Sequence, residues 1–430
     1  MKRVISWRPP LWMVAVLVGV TLALSTGTGY VLGAAQGAAQ TGECTEAADI
    51  CAKFGNFWKV WNIAENEFLD PTAADPDKMI AGAINGMLDT LNDQGHTRYN
   101  TAEEWKEAQE GLQGEYQGIG AYVNEQGDLP FIVSPIEGSP AEAAGIEAGD
   151  IILKIDGEST EGLSVDEVVG KIRGAPGTKV TLEIRHLDEE APVELTITRA
   201  DIVVPAVTWR MLPGNVAHLR LSQFQEQAQE DMERALAEAK QQGARALIVD
   251  VRNNPGGLLD QAIGVTSLFL PEGEPVLRVH DREGNEKVYN SNVDTPETEL
   301  PMVVLINTGS ASSSEIFAGA LQDHKRATVI GLQTVGLGTV LTPRQLDDGS
   351  AVYIGTAEWL TPNGRKIRHE GVEPDIKVAL ESGVQALTPT TAKKLTDEEI
   401  LQTEDTQIKR ALSVLGVNVS AEGPAAIFAR

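Results

Sequence analysis

Four serines fall within five positions of the stretch INTGSASSSEIFAGALQDH, residues 306–324. The apolar residues before the serines and the amphipathic pattern after them predict a buried strand, a turn and a helix. A serine at such a turn lies near the positive end of the helix dipole, where an oxyanion is favoured. Ser312, with Glu315 three residues later, also fits the Ser-x-x-Glu capping box. The residues alone therefore leave Ser312 open as a nucleophile or as a helix cap.

The elements around these serines are typical of an α/β domain. ALIVDVR (246–252), MVVLINT (302–308) and ATVIG (327–331) are apolar runs, as expected of strands that are covered on both faces. Helical runs such as QAQEDMERALAEAKQQ and LDQAIGVTSLFL alternate with them. The alternation predicts a largely parallel sheet. We assign this domain to residues 201–385, with a C-terminal tail and one more helix over 386–430.

The chain before this domain changes character twice. Amphipathic patterns predict a helical region over 48–112. From residue 116 to 200, short β-rich runs with turn residues between them predict a small β domain, interrupted by one helix in SVDEVVGKI. The glycine turn in GEYQGIGAYV, which opens this domain, lacks the Lys-Ser/Thr and the following helix of a phosphate loop.

The order of elements in this domain resembles a circularly permuted PDZ domain, and SPIEGSPAEAAGIEAGDIILKIDGEST (134–160) is a specific match. The resemblance implies that the amides of Ile119 and Gly120 receive a peptide's terminal carboxylate and that the following strand pairs with the peptide. The helix at 164–172 would form the other wall of the groove. The predicted peptide-binding residues are Gly118, Ile119, Gly120, Ala121, Val165, Val168 and Val169. A purely structural module, in which the glycines only make a turn, is the alternative.

Several longer motifs resemble the C-terminal processing peptidases, also called tail-specific proteases. They include HTRYNTAEEW (96–105), the RNNPGG turn, the serine motif, TAEWLTPNGRKI and GVEPDI. The resemblance runs from about residue 48 to 415 and implies a mixed sheet like that of the crotonase-like enzymes. It also implies that Ser312 is the nucleophile. The oxyanion hole would combine the Ser313 amide with that of Gly256 or Gly257.

The sequence departs from this family at the general base. The family has a lysine twenty-five residues after the serine, and the matching stretch, TVGLGTVL (334–341), has Leu337 there. Leu341 stands where a glutamine often assists the lysine. Leucine has no lone pair and cannot accept a proton from Ser312. A positioned base contributes about 10²–10⁴ in rate, so we expect hydrolysis to be strongly impaired.

Other basic groups are possible substitutes for the lysine. A continuous helix would carry His324 about 18 Å along its axis from Ser312, which excludes His324 and its neighbours Asp323, Lys325 and Arg326. Folding could bring Lys366 or His96 near the serine, and no sequence rule excludes them. Lone histidines are usually structural.

The N-terminus contains a long apolar segment. Residues 9–42 carry no charge, and LWMVAVLVGVTLALSTGTGYVLG (11–33) has the length of a membrane span, which takes about 20 residues. Basic residues within 1–10 place that end in the cytoplasm and the rest outside. We therefore predict a transmembrane anchor with the catalytic region on the extracytoplasmic side. A cleaved signal peptide is the alternative.

The cysteine count and the net charge exclude several classes of protein. Cys44 and Cys51 are the only cysteines; in one helix they would lie about 10 Å apart, too far to bridge, whereas in a loop a disulfide is allowed. No metal site and no cofactor are predicted. The 62 acidic against 35 basic residues give a net charge of −27, which disfavours nucleic-acid binding.

The sequence as a whole predicts a membrane-anchored α/β protein with a helical N-terminal region and an inserted PDZ domain. Its expected partners are protein or peptide C-terminal tails. Two function classes remain: a serine endopeptidase that uses a different base, and a pseudopeptidase that retains tail capture. We favour the second because of Leu337 and Leu341. A homo-oligomer, or an inactive subunit paired with an active relative, is a further possibility.

Overall fold

The computed structural model describes residues 48–419 except 94, 127–128, 137, 148, 187–190, 382 and 394. The chain divides into two compact units, Met1–Met79 and Ile80–Arg430. The N-terminal helices are α1 (Ala48–Glu67), α2 (Pro76–Asp89) and α3 (Ala102–Gln113), with a 3-10 turn at Pro71–Ala73 and the short strand β1 at Arg98–Asn100. The structure is thus helical in the region where the amphipathic patterns predicted helices.

Among the described residues, no helix is both long and apolar enough to span a membrane, which contradicts the transmembrane helix in our predicted fold. The longest described helix, α1, has 20 residues but includes Asp49, Lys53, Lys59, Glu65 and Glu67, and charged side chains are costly in a bilayer core. The segment for which we predicted the span, 11–33, lies outside the described residues.

Cys51 lies in α1 and is disulfide-bonded. Cys44 lies outside the described residues. Of the two alternatives left by the sequence, the structure therefore has the one in which a disulfide forms.

The β-rich domain is a six-stranded sheet packed against two short helices. A two-stranded sheet of β2 (Glu115–Gly118) and β9 (Ala200–Val203) connects it to the rest of the chain. Its own elements are β3 (Ala121–Gln126), β4 (Leu129–Pro135), α4 (Pro140–Ala143), β5 (Ile151–Ile155), β6 (Glu158–Ser159), α5 (Val165–Ile172), β7 (Lys179–Arg185) and β8 (Val193–Thr198). The strand order is β3-β4-β5-β7-β8, with β6 paired to β5, so β3 lies at an edge.

The following domain contains a six-stranded sheet that is parallel except at its first strand. Its strands are β10 (Val207–Leu212), β11 (Val216–Leu221), β12 (Ala246–Asp250), β15 (Met302–Ile306), β16 (Thr328–Gly331) and β19 (Ile376–Lys377), in that spatial order. Only β10 and β11 are antiparallel among these neighbours. The largely parallel sheet predicted from the sequence is confirmed.

Helices cover both faces of this sheet, as the unbroken apolar strands require. Leu247 and Val249 of β12 pack into the core beneath α6 (Ala228–Gln241), α7 (Leu259–Ser267) and α8 (Ser313–Asp323). The alternate residues Ala246 and Ile248 face α9 (Asp397–Leu401) and α10 (Thr406–Val414). The period-2 alternation of strand side chains therefore sends each strand into two cores.

A second sheet contains the end of the stretch 334–341, which matches the turn that holds the family's lysine. Its strands are β13 (Pro275–Asp281), β14 (Glu286–Asn290), β17 (Thr339–Gln345) and β18 (Ala351–Leu360), and β18 also pairs with β1. The pairing of β17 with β18 places Thr339 opposite Glu358 and Leu341 opposite Gly355. Residue 337 lies just before β17 and is therefore held close to this sheet.

Candidate active site

Ser312 stands at the turn between β15 and α8 in a strained backbone conformation. Its φ of 53° and ψ of −115° belong to a region that side chains other than glycine rarely adopt, and such strain costs about 1–3 kcal/mol and is concentrated at functional sites. The N–H of Glu315 donates to the carbonyl oxygen of Ser312 at 2.8 Å. Ser312 therefore begins the helix, and its strained backbone goes beyond what a helix cap requires.

The other three serines of the motif hold the glycine turn in place. The hydroxyl of Ser310 donates to the carbonyl of Val251, that of Ser313 to Gly257 and that of Ser314 to Asn254, at 2.7–3.0 Å. All three are buried, whereas Ser312 is partly exposed. The structure thus distinguishes Ser312 from its neighbours, which the sequence alone does not.

The glycine turn at 256–257 packs directly on the nucleophile position. A Cβ at Gly256 would come within 2.8 Å of the Ser312 Cβ and 2.9 Å of the Ser313 nitrogen, and Gly256 has a φ of 102°. The Gly256 N–H donates to the Asn254 side chain at 2.9 Å. Among the described residues, the N–H groups of Gly257 and Ser313 donate to no protein group. Of the two glycines left open by the sequence, Gly257 is therefore the one with a free amide beside that of Ser313.

Glu315 joins the nucleophile turn to the segment that carries Leu337. Its Oε2 accepts the N–H groups of Ser312 and Leu337 at 2.8 and 2.9 Å. Its Oε1 accepts the Thr334 hydroxyl and the Gly336 N–H, each at 2.6 Å. Glu315 is fully buried; burial raises the pKa of its carboxyl, and the four hydrogen bonds act in the opposite direction. The position matching the family's lysine is thus fixed beside Ser312, although a leucine occupies it.

A buried charge network holds Arg252, in the segment before the glycine turn, and no sequence pattern predicted this network. Both side chains of Asp250 and Arg252 are fully buried and paired at 2.7 Å, and Arg252 also reaches Asp405 at 2.8 Å. Burial by itself disfavours the charged forms of Asp250 and Arg252. The neighbouring opposite charges nevertheless hold the pKa of Asp250 well below its usual range and raise that of Arg252. Asp405 begins α10, so a C-terminal helix braces the turn that faces Ser312.

The structure places three of the candidate bases, His324, Lys366 and His96, in different surroundings. The His324 Nε2–H donates to the carbonyl oxygen of Pro275 at 2.7 Å, at the far end of α8. Lys366 is largely exposed, with its ammonium 3.9 Å from the Glu358 carboxylate. His96 is buried, and its Nδ1 lies 2.7 Å from the hydroxyl of Thr339, the first residue of β17. Folding therefore brings His96 to the strand that follows Leu337.

The predicted peptide groove is a cavity of about 300 Å³ between β3 and α5. Four predicted residues, Gly118 to Ala121, line it, and so does Val169. Val168 is instead fully buried in the domain core, because its position on α5 faces the sheet, and Val165 lies outside the lining. The lining also includes residues that were not predicted from the sequence, among them Tyr116, Ile172 and Arg173.

Backbone donors and one cation lie along the part of this groove that is formed by Gly118–Gly120. Gly120 has a φ of 79°, and its carbonyl accepts the Ser139 hydroxyl at 2.8 Å, which fixes the loop. Within the described part of the chain, the N–H groups of Ile119 and Gly120 donate to no protein group. The Arg173 guanidinium lies over the Tyr116 ring at 5.0 Å, next to this loop. Two free amides and a nearby cation are suited to a carboxylate.

Comparisons with known proteins match both parts of the chain. Residues 215–378 match the model of peptidase family S41, and residues 131–186 match a PDZ domain. The chain is 36% identical over 380 residues to carboxy-terminal processing protease CtpA of Bacillus subtilis, covering 88% of this chain and 78% of that protein. It is 41% identical over 311 residues to a carboxy-terminal-processing protease of Bartonella bacilliformis, covering 71% of each.

One solved structure supports the fold. A Bacteroides fragilis structure that carries the S41 protease name superposes with a TM-score of 0.54 at 17% identity, over 83% of this chain and 96% of that chain. At this identity the likeness concerns the fold alone.

Proposed function

The chain belongs to the carboxy-terminal processing protease family of serine peptidases, and from this premise we propose that it binds protein C-terminal tails but hydrolyses them only weakly. One observation carries the proposal. Leu337 is held beside Ser312 by the shared Glu315 oxygen, in the position where the family has its lysine. The machinery around the nucleophile is retained, and the proton acceptor at that position is missing.

Tail binding is supported by the groove of the PDZ domain. The edge strand β3 offers unpaired backbone groups to an extended peptide, and the free amides of Ile119 and Gly120 directly precede this strand. The apolar side chains of Val169 and Ile172 line the cavity. We therefore expect a free terminal carboxylate next to an apolar side chain to be the recognised feature.

Weak hydrolysis follows from the loss of the base. A hydroxyl without a base at hand attacks a peptide carbonyl slowly, because its proton has no acceptor as the bond to carbon forms. A positioned base is worth about 10²–10⁴ in rate, and up to about 10⁶ where nucleophile and base act as one unit. An oxyanion hole of Gly257 and Ser313 amides supplies only part of the acceleration.

Cleavage of an unfolded protein by the full chain tests the impaired hydrolysis. The parent is compared with Ser312→Ala and with the double variant Leu337→Lys/Leu341→Gln. We expect the parent to be slower than the double variant by about 10² or more, and Ser312→Ala to be inactive in either background. A parent that cleaves as fast as the double variant would refute the impairment and favour the alternative function, an active serine endopeptidase.

A separate titration tests tail binding. Fluorescent peptides with apolar C-terminal residues are measured by anisotropy as free acids and as C-terminal amides. We expect the amidated peptides to bind at least about tenfold more weakly. They carry no terminal charge for the N–H groups of Ile119 and Gly120 and for Arg173 to stabilise. Equal affinity of the two forms would contradict carboxylate capture.

We place the protein in an oxidising, extracytoplasmic compartment, and the disulfide of Cys51 supports this proposal. Mass spectrometry of the protein from its native source, with and without reduction, tests the location; a reduced Cys51 would count against it. Assembly with a second copy or with an active relative stays a prediction.

A further inference from the structure

A buried polar cluster reaches the base segment at Thr339, two residues after Leu337. Asp93, His96, Thr97 and Thr339 are each less than a tenth exposed. The Asp93 Oδ2 accepts the hydroxyls of Thr97 at 2.7 Å and of Thr339 at 3.2 Å. The same Thr339 oxygen lies 2.7 Å from His96 Nδ1. An acid, a hydroxyl and an imidazole thus form one hydrogen-bonded chain.

The direction of these hydrogen bonds assigns the tautomer of His96. A carboxylate only accepts, so the single Thr339 proton points to Asp93. The Thr339 oxygen must then accept the proton on His96 Nδ1. In a neutral imidazole with a protonated Nδ1, the lone pair lies on Nε2. Among the described residues, His96 Nε2 has no protein partner, so it is available as a proton acceptor.

The surroundings keep this imidazole neutral at physiological pH. Burial lowers the pKa of His96 to about 4; the charge of Asp93 acts to raise the pKa and that of Arg98 to lower it. Arg368 lies 3.4 Å from Asp93 on the other side of the cluster. A base with so low a pKa is present in its accepting form above pH 4 but is a weak base, because efficiency falls as the pKa departs from the working pH.

The backbone connects the partner of His96 to the segment that carries Leu337. The Trp359 N–H donates to the Gly338 carbonyl at 2.9 Å, so the pairing of β17 with β18 continues back past Thr339. Residue 337 is in turn joined to the Ser312 backbone through Glu315. The imidazole is therefore hydrogen-bonded to a residue only two positions from the place of the missing lysine.

We propose that His96 is the proton acceptor for Ser312 in the residual hydrolysis of this chain, with Thr339 and Asp93 as its positioning residues. The inference rests on the proposed function and names the base for the same site. As the Ser312 Oγ bonds to the peptide carbonyl carbon, its proton passes to His96 Nε2. The same proton is then donated to the amine nitrogen as the C–N bond breaks. Water hydrolyses the acyl-enzyme in the second half, giving a proton to Nε2 that returns to the Ser312 oxygen.

Labelling of the full chain by a fluorophosphonate probe tests this assignment, because Ser312 must lose its proton as the O–P bond forms and fluoride leaves. We expect His96→Gln to slow labelling by about 10² or more. Lys366→Gln, which removes the exposed basic candidate, is expected to leave the rate unchanged. Thr339→Ser keeps the positioning hydroxyl and should label like the parent, whereas Thr339→Val should label more slowly.

The double variant Leu337→Lys/Leu341→Gln shows whether His96 acts as the base or only supports the structure. It carries its own base, so adding His96→Gln should change its labelling rate less than about threefold. Its rate should also fall with pH near neutrality as the lysine protonates, whereas the parent rate should stay level down to about pH 5 and fall as His96 is protonated towards pH 4.

Three results would overturn the assignment: no Ser312-dependent labelling of the parent, a parent rate that His96→Gln leaves unchanged, or equal losses in both backgrounds. The tail-binding titration is independent of all of them. Loss of the His96 effect with retained tail binding would refute only this inference, whereas lost tail binding with a retained His96 effect would refute only the proposed PDZ function.

Discussion

Replacing Asp405 by asparagine should destabilise the peptidase domain strongly, because it breaks a fully buried ion pair. Asp405 accepts from Arg252 and from the Leu387 N–H, both at 2.8 Å, and from two N–H groups at the start of α10, at 2.9 and 3.0 Å. Asparagine has the same size but no charge, and its amide group would face at least one of these donors. Removing one partner of a buried pair costs about 3–5 kcal/mol. Asp250 remains on Arg252, so we expect about 3 kcal/mol.

Urea unfolding followed by tryptophan fluorescence measures this loss, since Trp359 is buried in the same domain. Asp397→Asn is the matched control: it removes an exposed carboxylate from the first turn of α9 and should change the free energy of unfolding by less than about 0.5 kcal/mol. A loss below about 1 kcal/mol for Asp405→Asn would refute the argument. It would show that the network is not what holds the C-terminal helix against the glycine turn.

Three further predictions follow from single contacts. Folding lowers the pKa of His96 from 6.5 to about 4. The parent should therefore lose up to about 3 kcal/mol of stability relative to His96→Gln as the pH falls from 6.5 to 4. Unfolding curves of the two proteins that show no pH-dependent difference would contradict this. Gly256→Ala places a Cβ within 2.8 Å of the Ser312 Cβ and should abolish fluorophosphonate labelling, whereas Gly284→Ala, with nothing within 4 Å, should label normally. Gly120→Ala places a Cβ 2.4 Å from that of Ser139, so anisotropy should show weaker tail binding, and unchanged affinity would argue against the assigned loop.

The wrong prediction of a transmembrane helix and the misplaced Val168 have different physical origins. A run of apolar residues indicates only that the segment is hydrophobic. Residues 11–33 lie outside the described part of the chain. Val168 and Val169 belong to the same predicted apolar stripe of α5. In the structure, Val168 is buried in the domain core, whereas Val169 lines the groove. Periodicity identifies an apolar stripe, but the packing of the helix on the sheet decides which part of the stripe is left open.

The sequence alone identified the family, and it predicted Ser312 as the nucleophile and Leu337 at the position of the family's lysine. These follow from long motifs and from the frame around Leu337, and they need no knowledge of distances. The parallel sheet also follows, because the apolar runs and helical patterns alternate along the chain.

Only the tertiary structure decided how the site is held and what could replace the base. The Gly256 amide is engaged by Asn254, the Glu315 carboxylate links Ser312 to Leu337, and His96 meets Thr339 across 243 positions of sequence. Such contacts depend on how strands from distant segments pair, and no local pattern encodes the distance between two side chains. The physical reason is that residue type fixes what a group can do chemically, whereas the fold fixes which groups come within reach of one another.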